Sequence, residues 1–222
     1  LATHALVTVE EARQLDRAET FLRRLRIHLH YLSGRREERL LFEYQEGLAA
    51  NFRVSRTATR RASEVLMQRY YRNAKLVTQL NTLVIQNLEM GLLPARQSAP
   101  RILDDEFQMV GDLLDLRDTQ RFEEEPTSIL RAFLALQQHH ELKGMTARTL
   151  RALWQARDRI DANFRREPQN RELFLRIFQQ EHVVHELRRM NQYDVLGRYL
   201  PAFGRIVGQM QHDLFHVYTV DQ

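Results

Sequence analysis

Three side chains that can bind a metal ion lie close together near the end of this 222-residue sequence: His212, Asp213 and His216. On a helix, side chains three or four positions apart share a face, so His216 would lie one turn from both His212 and Asp213. Imidazole nitrogens and carboxylate oxygens are common ligands of divalent metals. The three residues are therefore candidates for contact with a metal or a phosphate, and the alternative is a polar helix face or hydrogen bonds at a helix end.

The other candidate metal ligands have no further ligand at a spacing that would complete a site. His182 and His185 are spaced for one helix face, but no third ligand follows at matching spacing, so we expect surface histidines. His139 and His140 are adjacent and would point in different directions on a helix. Six acidic residues crowd one short segment without the spacing of a calcium loop, and we expect turn and cap residues there: Asp104, Asp105, Glu106, Asp112, Asp115 and Asp118.

Arginine accounts for most of the positive charge, and the formal net charge is +4. Clusters such as 23–26, 35–36 and 60–61 could bind phosphate or an acidic partner through bidentate hydrogen bonds. The alternative, which we favour, is a solvated helix surface with interleaved acids, since no basic groove with aromatic residues accompanies the clusters. Trp154 lies on an apolar stripe and is expected to anchor the core.

Several kinds of chemistry are missing from the sequence. There is no cysteine, so disulfides, thiolate zinc sites and cysteine nucleophiles are excluded. The eight glycines are scattered, and no glycine-rich phosphate loop is present. We therefore expect no catalytic residue in this chain, no complete metal site, and no phosphoryl or nucleotidyl transfer by the chain alone.

The first half of the chain has the pattern of a helical bundle. Thr8 and Glu11 form the signature of a capping box, and apolar residues recur at helical spacing from Leu15 to Leu32 until Gly34. A short helix is predicted around 40–50, then a loop at 54–59, then a long helix over about 61–89 that Gly91 and Pro94 end.

The second half is also helical, apart from one predicted β-hairpin near 106–117, where Phe107, Met109, Leu114 and Leu116 alternate with polar neighbours around Gly111. Helices are predicted from Pro126 to about Glu141 with Gly144 as terminator, from the N-cap Thr146, and from Pro168 with Phe178 among its buried residues. The fold class is thus all-α, a helical bundle with one small hairpin. Segments 1–95, 96–125 and 126–222 are predicted to be a bundle, a linker with the hairpin, and a second helical domain.

A resemblance to a known family rests on several stretches. Residues 209–221 (QMQHDLFHVYTVD), 195–201 (VLGRYLP), 204–208 (GRIVG), 103–108 (LDDEFQ) and the helix over 73–86 together span most of the chain. They resemble the bacterial PII uridylyltransferase/uridylyl-removing enzymes, in the part between the nucleotidyltransferase domain and the metal-dependent HD hydrolase domain. The resemblance implies an internal segment of such an enzyme, in which His212 and Asp213 precede the true HD doublet and support its site.

The resemblance also implies the function of the longer protein. It would transfer UMP from UTP to a tyrosine of the PII regulatory protein and remove it by hydrolysis, with glutamine setting the balance and Mg²⁺ or Mn²⁺ serving both centres. This chain would connect the two centres, without catalytic residues of its own. A cytoplasmic location is expected, with neither a membrane nor nucleic acid as partner.

Two alternatives remain open at this point. One is a non-enzymatic, arginine-rich helical module that docks an acidic protein surface or nucleic acid and binds in a salt-sensitive manner. The other is a segment of the related adenylyltransferase that modifies glutamine synthetase. The run into Thr219-Val220-Asp221 argues against this second alternative, because that relative has no HD domain.

Overall fold

The computed structural model describes residues 6–92 and 99–209, with the side chains of 90–92 left aside. Helices make up most of these residues, as the sequence predicted. The predicted hairpin is present and is part of a small four-stranded sheet. The described chain divides into two compact units, one of residues 6–81 and 205–209 and one of residues 82–92 and 99–204. Across the described ranges, no helix is long and apolar enough to span a membrane.

The first unit is built on three helices, α1 (Val9–Ser33), α2 (Phe42–Asn51) and the first part of α3 (Ala62–Leu92). The predicted capping box is present at the start of α1: the Thr8 amide donates to Glu11 at 2.7 Å, and the Glu11 amide donates to the Thr8 hydroxyl at 3.2 Å. Gly34 ends α1 in the left-handed conformation with a φ of 65°. Helix α3 runs to Leu92, three residues past the predicted end at about Glu89, and Pro94 lies outside the described residues.

The core of this unit lies between α1, α2 and α3. Its buried members are Phe21, Leu25, Leu29, Leu48, Ala49 and Leu66. The helical stripe of α1 was predicted with Leu32 at its end, but Leu32 is 40% exposed, and Phe21 takes a central place instead. Gln68 of α3 is buried and donates to the carbonyls of Arg205 and Val207 at 3.1 and 3.0 Å, which holds the returning chain against this unit.

The second unit contains the sheet, whose strands are β1 (Arg101–Ile102), β2 (Phe107–Val110), β3 (Leu113–Leu116) and β4 (Gly144–Met145) in that order. The predicted hairpin is β2 and β3, with Phe107 opposite Leu116 and Val110 opposite Leu113. Gly111 permits the tight turn because its φ is +62°, in the region that side chains disfavour. Strand β1 pairs antiparallel to β2, and β4 pairs parallel to β3.

Eight helices follow the first three in the described chain. They are α4 (Arg121–Glu124), α5 (Ser128–Gln138), α6 (Ala147–Ala156), α7 (Ala162–Arg166), α8 (Pro168–Gln179), α9 (Val183–Gln192), α10 (Leu196–Tyr199) and α11 (Pro201–Ile206). Helix α6 packs against β3. Central α5 is buried over most of its length and packs against α8 and α9. Thr146 caps α6 and Pro168 is the first residue of α8, both as predicted.

Two predictions for these helices are wrong. Helix α5 ends at Gln138, with His139 as its C-cap, and Gly144 does not terminate it, because Gly144 lies in β4 opposite Leu113. Phe178 was expected inside but is 46% exposed, and its ring packs at 5.2 Å against that of buried Phe174.

Candidate functional site

The terminal candidates His212, Asp213 and His216 lie outside the described residues, so they remain predictions. The other histidines are placed by the structure. His182 and His185 are exposed, as expected, and His182 is the N-cap of α9 with a φ of 59°. Exposed His140 faces His182 from the end of α5, with ring centroids 6.0 Å apart.

The acidic segment 104–118 serves only partly as turns and caps. The carboxylate of Asp104 accepts from the amides of Glu106 and Phe107, both at 2.7 Å, and that of Asp118 accepts from the Gln120 amide at 2.9 Å. For Glu106 and Asp115 the expectation is wrong. Both carboxylates point inward and bind side chains from distant parts of the chain.

Glu106 joins the start of β2 to α4 and α5. Its carboxylate accepts from Arg121 Nε at 2.7 Å, from Ser128 Oγ at 2.8 Å, and from Arg131 Nε and Nη2 at 2.7 and 2.8 Å. Burial favours the neutral acid, but the hydrogen bonds from Arg131, Ser128 and Arg121 outweigh it and lower the pKa of Glu106 to about 2. The group is therefore ionised and fully engaged, which suits a structural clamp.

Asp115 ties β3 to the start of α6 in a similar way. Its carboxylate accepts from Gln108 Nε2 at 2.8 Å, from Thr146 Oγ1 at 2.7 Å and from Arg148 Nε at 3.3 Å. Thr149 Oγ1 lies 3.2 Å away and accepts from the amide of Leu116. Burial raises the pKa of Asp115, but the hydrogen bonds from Arg148, Gln108 and Thr146 lower it by more, so the pKa lies below the usual value of an aspartate. This carboxylate also has no free capacity for a ligand.

Several other titratable groups meet at one cavity in the second unit. It has a volume of about 440 Å³ and lies where the end of α5 meets the start of α9. Its lining residues are Leu136, Gln137, His140, Leu142, Glu181, His182, His185, Glu186 and Arg189. We take this histidine cavity as the candidate site of the described chain, since perturbed titratable groups in a cleft are typical of functional sites.

Glu186 is the unusual member of the histidine cavity. The residue is 2% exposed, its Oε2 accepts from Arg189 Nη1 at 3.0 Å, and its Oε1 has no hydrogen-bond partner among the described residues. Burial raises the pKa of Glu186 to about 7, against the opposing effect of Arg189. At neutral pH this carboxyl group can therefore hold or release a proton.

Arg189 links the acid to a histidine. Its Nη2 lies 3.0 Å from Nε2 of His185, and because a guanidinium only donates, His185 accepts there with a neutral ring. Burial lowers the pKa of His185, and the neighbouring Arg189 and Arg188 guanidinium groups lower it further. The cavity thus combines a neutral imidazole with a carboxyl group that titrates near neutrality, an arrangement suited to proton exchange or to binding a small polar molecule.

The described residues do not support a metal site. Within 6–92 and 99–209, no group of three or more histidines, aspartates or glutamates is arranged to hold a metal ion. The residues present in the described ranges therefore do not fit the Mg²⁺ or Mn²⁺ that the resemblance implies.

The role of Glu186 was not predicted from the sequence. The available signal was its position four residues before Met190 and seven before Tyr193, the C-cap of α9. All three residues are buried and have the spacing of one helix face. An acid on the buried face of an amphipathic helix is uncommon enough to indicate a perturbed group.

Two protein-family models match different parts of the chain. The family model described as GlnD PII-uridylyltransferase matches residues 1–85, and the model described as uridylyltransferase GlnD third domain matches residues 107–199. No solved structure matches the chain.

Curated relatives match over the whole chain. The bifunctional uridylyltransferase/uridylyl-removing enzymes of Bordetella pertussis, Aromatoleum aromaticum and Nitrosospira multiformis are 60%, 58% and 49% identical over 223 residues. The match covers 100% of this chain in each case, but only 26%, 26% and 25% of the relative. The chain therefore spans about a quarter of the length of these proteins.

Proposed function

This chain belongs to the GlnD uridylyltransferase family, and we propose that it serves a bifunctional enzyme that uridylylates the PII protein and removes the uridylyl group. The observation that carries the proposal is 60% identity to the Bordetella pertussis enzyme along the entire chain. In this proposal UTP donates the UMP group, glutamine sets the balance of the two activities, and the enzyme acts in the cytoplasm.

Within that enzyme we assign the chain the role of a structural connector. The carboxylates of Glu106 and Asp115 support this role, because their ion pairs and hydrogen bonds join strands to helices. Catalysis would take place on residues beyond this chain, at centres that use Mg²⁺ or Mn²⁺. His212, Asp213 and His216 stay candidates for a supporting role next to the hydrolase centre.

The proposed partition is a helical bundle at 1–95, a linker with the hairpin at 96–125, and a helical domain at 126–222. The two family models support a separation near residue 96, because one ends at 85 and the other begins at 107. The second model continues through 125 to 199, so it supports no boundary between the proposed linker and the second helical domain. In this proposal the chain connects the two centres and determines the distance between them.

A replacement experiment tests the proposal. The corresponding quarter of the Bordetella pertussis enzyme is exchanged for this chain, and uridylyl transfer to PII and uridylyl removal are both measured with and without glutamine. We expect both activities and the response to glutamine to persist. A folded chimera that lacks both activities would contradict the family role, as it would show that the chain cannot replace its relative.

The connector role has its own test. The 222-residue chain is incubated with PII, UTP and Mg²⁺, and separately with uridylylated PII and Mn²⁺. We expect neither transfer nor removal. Removal of the uridylyl group by the chain, abolished by His212→Ala with His216→Ala, would show instead that the terminal cluster is a catalytic site.

A further inference from the structure

A group of basic side chains in the first unit is built around two aromatic rings. The guanidinium carbon of Arg24 lies 5.4 Å from the ring centroid of Phe52, and that of Arg69 lies 4.6 Å from the centroid of Phe21. The two rings pack edge to face with centroids 5.6 Å apart, and the ring of His28 meets Phe52 at 5.5 Å. Residues from α1, α3 and the turn after α2 are thereby gathered at one place.

Arg53 directly follows Phe52 in the turn after α2. Backbone bonds from Phe52 to Leu48 and from Arg53 to Ala50, at 3.0 and 2.9 Å, fix the turn. Arg53 adopts a φ of 52°, a region that side chains other than glycine rarely enter, and its side chain is exposed. The turn therefore buries part of Phe52 and holds Arg53 toward solvent.

These arginines differ from their neighbours in lacking a counter-ion. Arg23 pairs with Glu19, and Arg26 pairs with Glu38, also on the first unit. In contrast, no carboxylate of the described residues lies within 4.0 Å of Arg24, Arg53 or Arg69, although all three are exposed. We call Arg24, Arg53 and Arg69 the unpaired arginine surface.

Stacking explains how these cations are ordered without acids. A guanidinium lying over an aromatic ring is attracted by the negative face of the ring, while the N–H groups at its edge stay free to donate. Arg24 and Arg69 are thus held in position with donors available to a partner. A planar guanidinium donates to a carboxylate through two parallel hydrogen bonds.

We propose that the unpaired arginine surface docks an acidic surface of another protein, one that presents several aspartate or glutamate side chains. Nucleic acid is the less suitable partner, because single strands are bound through exposed rings that stack with bases. Phe21 is only 6% exposed, and Arg69 lies over its ring; Arg24 lies over that of Phe52. The proposal does not depend on the enzymatic role assigned above.

A pair of triple variants tests the proposal with a labelled oligoglutamate peptide as the probe. The first variant replaces Arg24, Arg53 and Arg69 with glutamine. The control replaces Arg23, Arg26 and Arg36, which pair with acids, and so makes the same change in net charge. Fluorescence anisotropy gives the Kd of each protein at low and at moderate salt.

We expect the first variant to weaken peptide binding about tenfold or more and the control to change it by less than about threefold. Equal weakening in both variants would overturn the proposal, since net charge alone would then explain binding. Tighter binding of an oligothymidylate than of the peptide, lost in the first variant, would overturn the choice of an acidic protein as partner. No binding of the peptide by the unaltered chain at low salt would also overturn it.

Arg53→Gln alone guards against a folding defect, because Arg53 makes no side-chain hydrogen bond or ion pair in the described structure. This variant should keep the helical circular dichroism and melting temperature of the parent chain. It should still weaken peptide binding about two- to fourfold. Unchanged affinity in this folded variant would contradict a docking role for the turn.

Discussion

Replacing Glu186 with glutamine should stabilise the second unit at alkaline pH but not at acidic pH. Glu186 is 2% exposed, and burial raises its pKa from 4.5 to about 7 in spite of the nearby Arg189. Each pKa unit corresponds to about 1.4 kcal/mol of difference between the two protonation states. The ionised carboxylate therefore costs the folded chain up to about 3 kcal/mol relative to an exposed glutamate.

The sign follows from proton binding in the two states. Between about pH 4.5 and about pH 7 the folded chain keeps a proton on Glu186 that the unfolded chain has released, so the free energy of unfolding falls as the pH rises. Above this range the loss is complete. Glutamine has a similar shape and cannot ionise, so the variant escapes the loss.

Denaturation by urea at about pH 5 and about pH 8, followed by tryptophan fluorescence, measures the effect. Trp154, the single tryptophan, lies in the same unit as Glu186 and reports on its unfolding. At about pH 8 we expect Glu186→Gln to raise the free energy of unfolding by about 2–3 kcal/mol, and at about pH 5 to change it by less than about 1 kcal/mol. Glu181→Gln, which alters an exposed carboxylate lining the same cavity, should show no such dependence on pH.

One result would refute this reasoning. If Glu186→Gln destabilises the chain at about pH 8 by as much as at about pH 5, the carboxylate must be ionised at both and held by Arg189. The cavity would then contain a stable ion pair instead of a group that titrates near neutrality.

Three further substitutions test the packing. Glu106→Gln should lower the free energy of unfolding at neutral pH by about 2 kcal/mol, because two arginines lose their charged partner. It should also remove the loss of stability that the parent chain shows as the pH falls from about 4.5 to about 2. Urea titrations across that pH range measure both effects. Gly204→Ala should lower the melting temperature, because an added Cβ would lie 2.5 Å from the Gly197 carbonyl oxygen. The control Gly144→Ala should be tolerated, because the nearest atom to its added Cβ would lie 3.5 Å away. Equal melting temperatures of the two variants would contradict the close approach at Gly204. Thr8→Ala should lower the free energy of unfolding by about 1 kcal/mol through loss of the capping box. Far-ultraviolet circular dichroism during thermal unfolding measures the change. A larger loss in the control Ser55→Ala, at an exposed loop residue, would count against a stabilising role of the capping box.

Local signals in the sequence predicted the elements that local interactions determine. The Thr8 capping box, the Thr146 cap and the first position of Pro168 each depend on residues within one helical turn, and each was confirmed. The hairpin was predictable for the same reason, because alternation and the turn at Gly111 lie within one short segment. Strands β1 and β4 have only two residues each, too few for any alternation to show.

Long-range pairing is what the sequence could not reveal. Glu106 lies in an acidic segment that looks like a solvated turn, and only the fold brings Arg131 to it from 25 positions away. Asp115 is joined to Thr146 across 31 positions in the same way. Each partner is an ordinary surface residue type, so nothing in its local pattern marks it as buried.

Arginine shows most clearly why composition has limited meaning in this chain. Arg131 binds a buried carboxylate and contributes to the internal structure, whereas Arg24 lies over an aromatic ring and has no acid beside it among the described residues. Both count equally toward the net charge of +4. Paired arginines such as Arg23 and Arg36 are exposed as well, but an acidic partner must compete there with a carboxylate that is already bound. The distribution of unpaired guanidinium groups, more than the number of arginines, therefore determines which surface of this protein can attract an acidic protein.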